Sequence, residues 1–263
     1  MLGLIRRTWG RSPWLGRGHH KSALPIALSA SLLWLLHPVQ TGAVTYVMQR
    51  SELLVSFCFL VALYGFARGS SPAPTPASII APSASNASAR APDLFRSGWL
   101  WLAFGACALG MAAKEVMVVA PLLILFYDRM FHAGGVITAL RTRPWFYAGL
   151  ASSWAGLAAL LLETDSRGGS AGFGAGMAWN DFALTQLTAV TRYLQLTVWP
   201  SPLVFDYGAG VVRDFVSIAL GGVVVISLLA GTVFALRRWP DVGFGAVAFF
   251  AWLAPSSSAS RPI

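Results

Sequence analysis

Residues 97–131 read SGWLWLAFGACALGMAAKEVMVVAPLLILFYDRMF. Two apolar runs flank a single charged pair, Lys114-Glu115, and the second run ends on Asp128-Arg129. A helix needs about 20 apolar residues to cross a bilayer core, so this stretch is too long for one span. An ionisable pair buried in hydrocarbon is costly unless it is paired or wet. Lys114-Glu115 is therefore expected at a turn between two helical segments, 97–113 and 116–131. Outward from this hairpin, further apolar segments lie at 22–36, 53–67, 145–162, 215–236 and 242–254. Of these segments 215–236 reaches a comfortable spanning length; the shorter ones predict tilted, broken or protein-buried helices.

Composition supports this reading. Of the 263 residues, 56% are hydrophobic and 11% charged, against about 25% charged in a soluble domain. Eleven Trp and sixteen Phe add side chains that favour membrane interfaces and apolar packing. The expected fold class is all-α: a polytopic transmembrane helical bundle of about seven apolar segments, with an outside loop containing an interfacial helix. The net charge of +9 does not indicate nucleic acid. The cations are arginines in short clusters between apolar stretches, with no continuous basic face and no recognition motif.

Those clusters orient the chain. With the N-terminus inside and strict alternation, thirteen of the nineteen basic residues fall on the cytoplasmic side, as the positive-inside rule requires. The connector Asp128–Arg143, with Arg129, Arg141 and Arg143, is among them. Seven of the ten acidic residues fall outside, which marks the side where carboxylate chemistry is expected. The predicted organisation is a basic cytoplasmic leader over 1–21, a transmembrane module over 22–254 and a tail over 255–263. The leader and the apolar run after it resemble a signal peptide, but His37-Pro38 stands where a small-residue cleavage site would be. Within the module, 69–92 is Ser/Ala/Pro-rich and reads as a flexible cytoplasmic loop. Its Asn86-Ala87-Ser88 sequon falls on the cytoplasmic side. Residues 164–214 form the longest outside connector. Its segment Trp179–Trp199 carries Phe182, Leu184, Leu187, Val190, Leu194 and Val198 at helical spacing, with Pro200 and Pro202 as terminators.

Three outward clusters hold the polar residues with chemical potential. The first is His37-Pro38, then Tyr46, Gln49, Arg50 and Glu52; a guanidinium such as Arg50 offers paired N–H donors to a phosphate. The same charges also suit an ordinary solvated loop. The second is Lys114-Glu115, a cation held by an acidic neighbour, or a plain turn between helices. The third is Arg192, Tyr193, Asp206, Tyr207, Arg213 and Asp214, where an aromatic-flanked carboxylate follows a proline-stiffened turn. Cys58 and Cys107 lie inside apolar runs and read as small buried hydrophobes. No zinc spacing or HExxH helix is present.

Three runs carry a family resemblance: HPVQTGAVTYVMQRSELLVSFCFLVALY at 37–64, GMAAKEVMVVAPLLILFYDRM at 110–130 and RYLQLTVWPSPLVFDYG at 192–208. In that order they resemble bacterial relatives of the transmembrane O-mannosyltransferases with tetratricopeptide repeats, within the GT-C class of membrane glycosyltransferases. The resemblance covers about residues 23–258. It implies a bacterial inner-membrane enzyme that takes a sugar from a polyprenyl-phosphate donor and passes it to a hydroxyl on a protein or glycan acceptor, on the non-cytoplasmic face. It places His37, Arg50 and Glu52 on the donor side, Lys114 and Glu115 at the lipid phosphate, and Arg192, Asp206 and Tyr207 in the outer loop. It names no organic cofactor; a divalent metal at an acidic residue is compatible with it. It further implies an extra first span with an acidic loop before this stretch, and more spans and helical repeats after it. The chain is thus expected to lack both ends of such an enzyme. The alternative from another class is a non-catalytic transporter or scaffold, since intramembrane charges also mark transport paths.

Overall fold

The computed structural model describes residues 1–11, 22–45, 49–70, 94–163, 179–201, 203 and 214–259. Every described element is helical. In chain order these are α1 (Leu2–Arg11), α2 (Ala23–Leu36), α3 (Gln40–Thr45), α4 (Arg50–Gly69) and α5 (Leu94–Ala113). A 3-10 turn (Glu115–Val119) leads into α6 (Ala120–Asp128), a π turn (Arg129–Ala133) and α7 (Val136–Thr142). Then come α8 (Pro144–Glu163), α9 (Trp179–Val198), α10 (Phe215–Arg238) and α11 (Pro240–Ala259). Each of the seven apolar segments read from the sequence is a helix or a continuous run of helical turns. Three stretches are long and apolar enough to cross a membrane: Arg50–Gly69, Glu115–Ala133 and Phe215–Arg238. The first two are longer than their apolar runs suggested, because polar ends such as Arg50 and the π turn continue the helical path.

The chain divides into two compact units. The first comprises Met1–Ser31 and Leu54–Leu157. Its core is built from α4, α5, α6 and α8, with Val55, Ala62, Phe66, Ala103, Cys107, Met117, Ile124 and Leu150 all buried. Small residues in this set let the helices approach closely, as packing between apolar helices demands. Lys114 is extended, with φ −160° and ψ 141°, and here the chain reverses. Tyr147 and Trp154 of α8 meet Asp128 and Val118 respectively, so α6 runs antiparallel to α8. Helix α5 instead runs in step with α8, with Phe104 beside Gly149 and Cys107 beside Ser153. The hairpin expected from Lys114-Glu115 is therefore present.

At the opposite end of this unit, the connector Asp128–Arg143 is more ordered than a loop. The π turn closes at Gly134, whose φ of 71° is the left-handed region that side chains with a Cβ avoid. Of the expected leader 1–21, residues 1–11 are described, and Leu2–Arg11 is helical. Helix α1 docks on α4 and α6: Arg7 Nε donates to the Ala67 carbonyl at 2.9 Å, and Thr8 and Tyr127 share a hydroxyl hydrogen bond at 2.9 Å. The Ala67 carbonyl belongs to the last turn of α4, where carbonyls lack intrahelical partners. Gly69 and Ser70, placed by the sequence in the flexible loop, instead close α4 and are buried. Residues 71–93 and the sequon lie outside the described residues.

The second unit comprises Leu32–Leu53 and Ala158–Ile263. Helix α10 begins at Asp214, whose carboxylate accepts from the Ser217 backbone N–H at 2.9 Å and hydroxyl at 2.7 Å. It ends on Arg237-Arg238, cations that suit the negative helix terminus. Along it Phe215, Val216, Leu220, Val223, Ile226 and Val233 are all more than half exposed. A continuous apolar stripe of this kind is stable against lipid, not water. Helix α9 crosses α10 at Gly221, where an added Cβ would lie 2.7 Å from the Leu187 carbonyl oxygen. The expected helix over Trp179–Trp199 is thus observed, packed on a spanning-length helix. Helix α11 runs on to Ala259, so most of the expected tail 255–263 is helical.

Candidate functional site

In the second unit, Leu36 ends α2 because Pro38 follows and restricts the residue before it. The turn is closed by Gln40 N–H to the His37 carbonyl at 2.9 Å and Thr41 N–H to the Pro38 carbonyl at 3.0 Å. Thr41 and Thr45 return their hydroxyls to the backbone. His37 does more than mark a bend. Its Nε2 lies 2.9 Å from the Thr197 carbonyl, and its Nδ1 lies 3.3 Å from the Val39 N–H. Since Nδ1 receives a proton donor, Nε2 carries the ring hydrogen and donates to Thr197. That carbonyl belongs to the last turn of α9 and lacks a helical partner. The imidazole therefore fixes the HPVQTG turn to the RYLQLTVWP run, 160 residues further along. Two of the three runs that carry the family resemblance meet at this one side chain.

Arg50 is exposed at the start of α4, and Glu52 is half-buried in its first turn, where a carboxylate complements the helix dipole. Arg192, on α9, donates to Gln195 Oε1 at 3.2 Å, so part of its donor set is already used along its own helix. Tyr193 is exposed. Asp206, Tyr207, Arg213 and Tyr46 lie outside the described residues.

In the first unit, Lys114 and Glu115 stand at the hairpin turn, both half-buried. Lys114 N–H closes α5 on the Gly110 carbonyl at 3.0 Å, and the Lys114 carbonyl accepts from Met117 N–H at 3.2 Å. The backbone of Lys114 therefore makes the turn.

The polar cluster that the sequence reading did not isolate sits at the other end of this unit. Asp128 is fully buried. Arg143 Nη1 donates to both of its carboxylate oxygens, at 3.0 and 2.8 Å, and the Tyr147 hydroxyl donates to Oδ2 at 2.6 Å. The guanidinium also lies over the Phe66 ring, 5.6 Å from its centroid. One of the three connector arginines is thus neutralised inside the protein. An Asp ending a long apolar run, with an Arg fifteen residues on, was a legible signal, because a carboxylate at such a position needs a partner. Buried and accepting three hydrogen bonds, this carboxylate is structural.

Among the described residues, no three His, Cys, Asp or Glu side chains gather as a metal site. Glu52 and Glu115, the described carboxylates tied to the donor by resemblance, belong to different units.

The class defined by these features is a helical protein with three helical stretches long and apolar enough to cross a membrane. Compared with known proteins, the chain is similar to Protein O-mannosyl-transferase Tmtc3 of Drosophila melanogaster, 34% identical over 105 residues. The match takes in 39% of this chain and 9% of that relative, so the chain corresponds to a small part of its length. No family model and no solved structure matches the chain.

Proposed function

We propose that this chain is a membrane glycosyltransferase module of the GT-C kind, with seven spans and its N-terminus inside. It acts on a sugar held by a polyprenyl phosphate in a bacterial inner membrane. The observation that carries the reading is the similarity to an O-mannosyltransferase, supported by the joining of two of the resembling runs at His37 and Thr197. In the proposed reaction an acceptor hydroxyl attacks the anomeric carbon, and a carboxylate takes its proton. The bond from that carbon to the phosphate oxygen breaks, and the polyprenyl phosphate leaves with the electron pair. Arg50 and Lys114, each within its own unit, are alternative candidates for charge stabilisation at the phosphate, where fixed cations lower the barrier most. Glu52 and His37 are proposed to line the donor side, Glu115 to accompany Lys114, and Arg192, Asp206 and Tyr207 to shape the outer loop.

The test separates binding from turnover. The chain in nanodiscs is titrated with a polyprenyl-phosphate mannose, then supplied with a serine- and threonine-containing peptide. Arg50→Ala and Lys114→Ala are each expected to weaken donor binding by about tenfold or more, as loss of one charge-assisted contact does. Unchanged affinity in both variants removes these residues from the site. Donor binding without sugar transfer identifies a non-catalytic receptor or scaffold instead.

A further inference from the structure

The turn that carries Lys114 is completed by a side chain from another helix. Glu115–Val119 is a 3-10 turn, in which a carbonyl is closed by the N–H three residues on. Lys114 and Met117 follow that rule. Met117 N–H donates to the Lys114 carbonyl at 3.2 Å, and Ala120 N–H donates to the Met117 carbonyl. Val118 cannot follow it, because residue 121 is a proline and has no N–H to give. Trp154 of α8 supplies a donor instead. Its indole Nε1–H reaches the Val118 carbonyl at 3.0 Å, from 36 residues further along the chain.

A second contact holds the same turn from α5. A Cβ added to Gly110 would lie 2.9 Å from the Met117 side chain, so Met117 rests directly on the α5 backbone, where it is fully buried. The turn is thus pinned to α5 at Met117 and to α8 at Val118. Lys114 opens it with extended backbone, at φ −160° and ψ 141°, and its ammonium is carried wherever the turn goes. Trp154 is 36% exposed, and an indole at a membrane interface can anchor a helix by its ring alone. Here its N–H is spent on protein backbone, at the position where a proline has taken the local donor away.

We infer that Trp154 is a positioning residue for Lys114. Through the Val118 carbonyl it holds the 3-10 turn, and with it the ammonium, in place for a lipid phosphate. The role rests on the sugar-transfer reading in which Lys114 meets that phosphate; Trp154 itself is assigned no contact with the donor.

Replacing Trp154 by 3-benzothienylalanine removes the N–H and keeps the fused ring and its bulk. The full chain, this variant and Trp154→Phe are compared in nanodiscs by hydrogen exchange and by binding of polyprenyl phosphate. In both variants the Met117 and Ala120 amides should exchange about fivefold faster, as loss of one net hydrogen bond allows, while the buried stretch of α6 around Ile124 stays protected. Both variants should weaken polyprenyl-phosphate binding about fivefold. Added to Lys114→Ala, the benzothienyl replacement should cause no further loss, because two residues acting through one contact are not additive. Wild-type exchange in the benzothienyl variant, or losses that add in the combined variant, overturns the role. If Lys114→Ala binds polyprenyl phosphate as well as the wild type, the sugar-transfer reading at Lys114 falls and this role with it. If Lys114→Ala is impaired while both Trp154 variants bind normally, the role alone falls.

Discussion

Asp128 is the side chain on which the first unit is most sensitive to change. Replacing Arg143 by Ala leaves a fully buried carboxylate holding its 2.6 Å bond from Tyr147 but no cation. Removing one partner of a buried ion pair costs about 3–5 kcal/mol. Arg143 keeps 16% of its side chain exposed, so solvent can offset part of the loss, and the lower end, about 3 kcal/mol, is expected. Tyr147→Phe deletes one hydrogen bond to a charged group and should cost about 1.5–3 kcal/mol. Replacing both charges, as Asp128→Leu with Arg143→Leu, removes the desolvation cost together with the attraction. It should recover most of the stability lost by Arg143→Ala. Arg141→Ala, at an exposed position two residues away, serves as the control and should stay within about 0.5 kcal/mol. Reversible unfolding in mixed micelles, followed by helical circular dichroism, measures each difference. The reasoning fails if Arg143→Ala is as mild as Arg141→Ala, or if the double leucine variant is no more stable than the single alanine one.

Two further outcomes follow from the second unit. Gly221→Val should loosen the α9–α10 crossing by about 1–3 kcal/mol, since even a Cβ would press on the Leu187 carbonyl and overpacking costs that much; a variant with wild-type unfolding would show that the two helices can separate freely. Asp214 caps α10, and its bonds from the Ser217 hydroxyl and N–H hold its carboxyl below the ordinary value of 3.8. A carboxyl lowered by folding stabilises the folded form above its unfolded pKa and loses that contribution as pH falls through the folded pKa. Protection of the Ser217 amide against hydrogen exchange should therefore hold above pH 3.8 and decline below it. In Asp214→Asn, a capping residue without a charge, that decline should be absent; an identical decline would assign the acid effect to another group.

The apolar segments, their helical state and the reversal at Lys114 were legible because each depends on a short stretch of chain. Bilayer length, the cost of a charge in hydrocarbon and the stiffness of proline act on neighbours in sequence. His37 was legible as the end of a helix and as a candidate polar residue. Its bond to Thr197 was not, because the backbone carbonyl it satisfies belongs to a helix 160 residues away. The basic start read as a leader because its charges are local. Its docking through Arg7 on Ala67 depends on where α4 ends in space.

By itself the sequence determined the apolar helical segments, the turn between 97–113 and 116–131, and the polar side chains available for chemistry. Tertiary structure decided which of those side chains are spent on the fold. Arg143 read as one of three equivalent loop charges, yet it is consumed by Asp128, while Arg129 and Arg141 stay exposed. A charge in an apolar setting must find a counter-charge within a few ångströms, and only the packed arrangement of helices fixes which one comes that close.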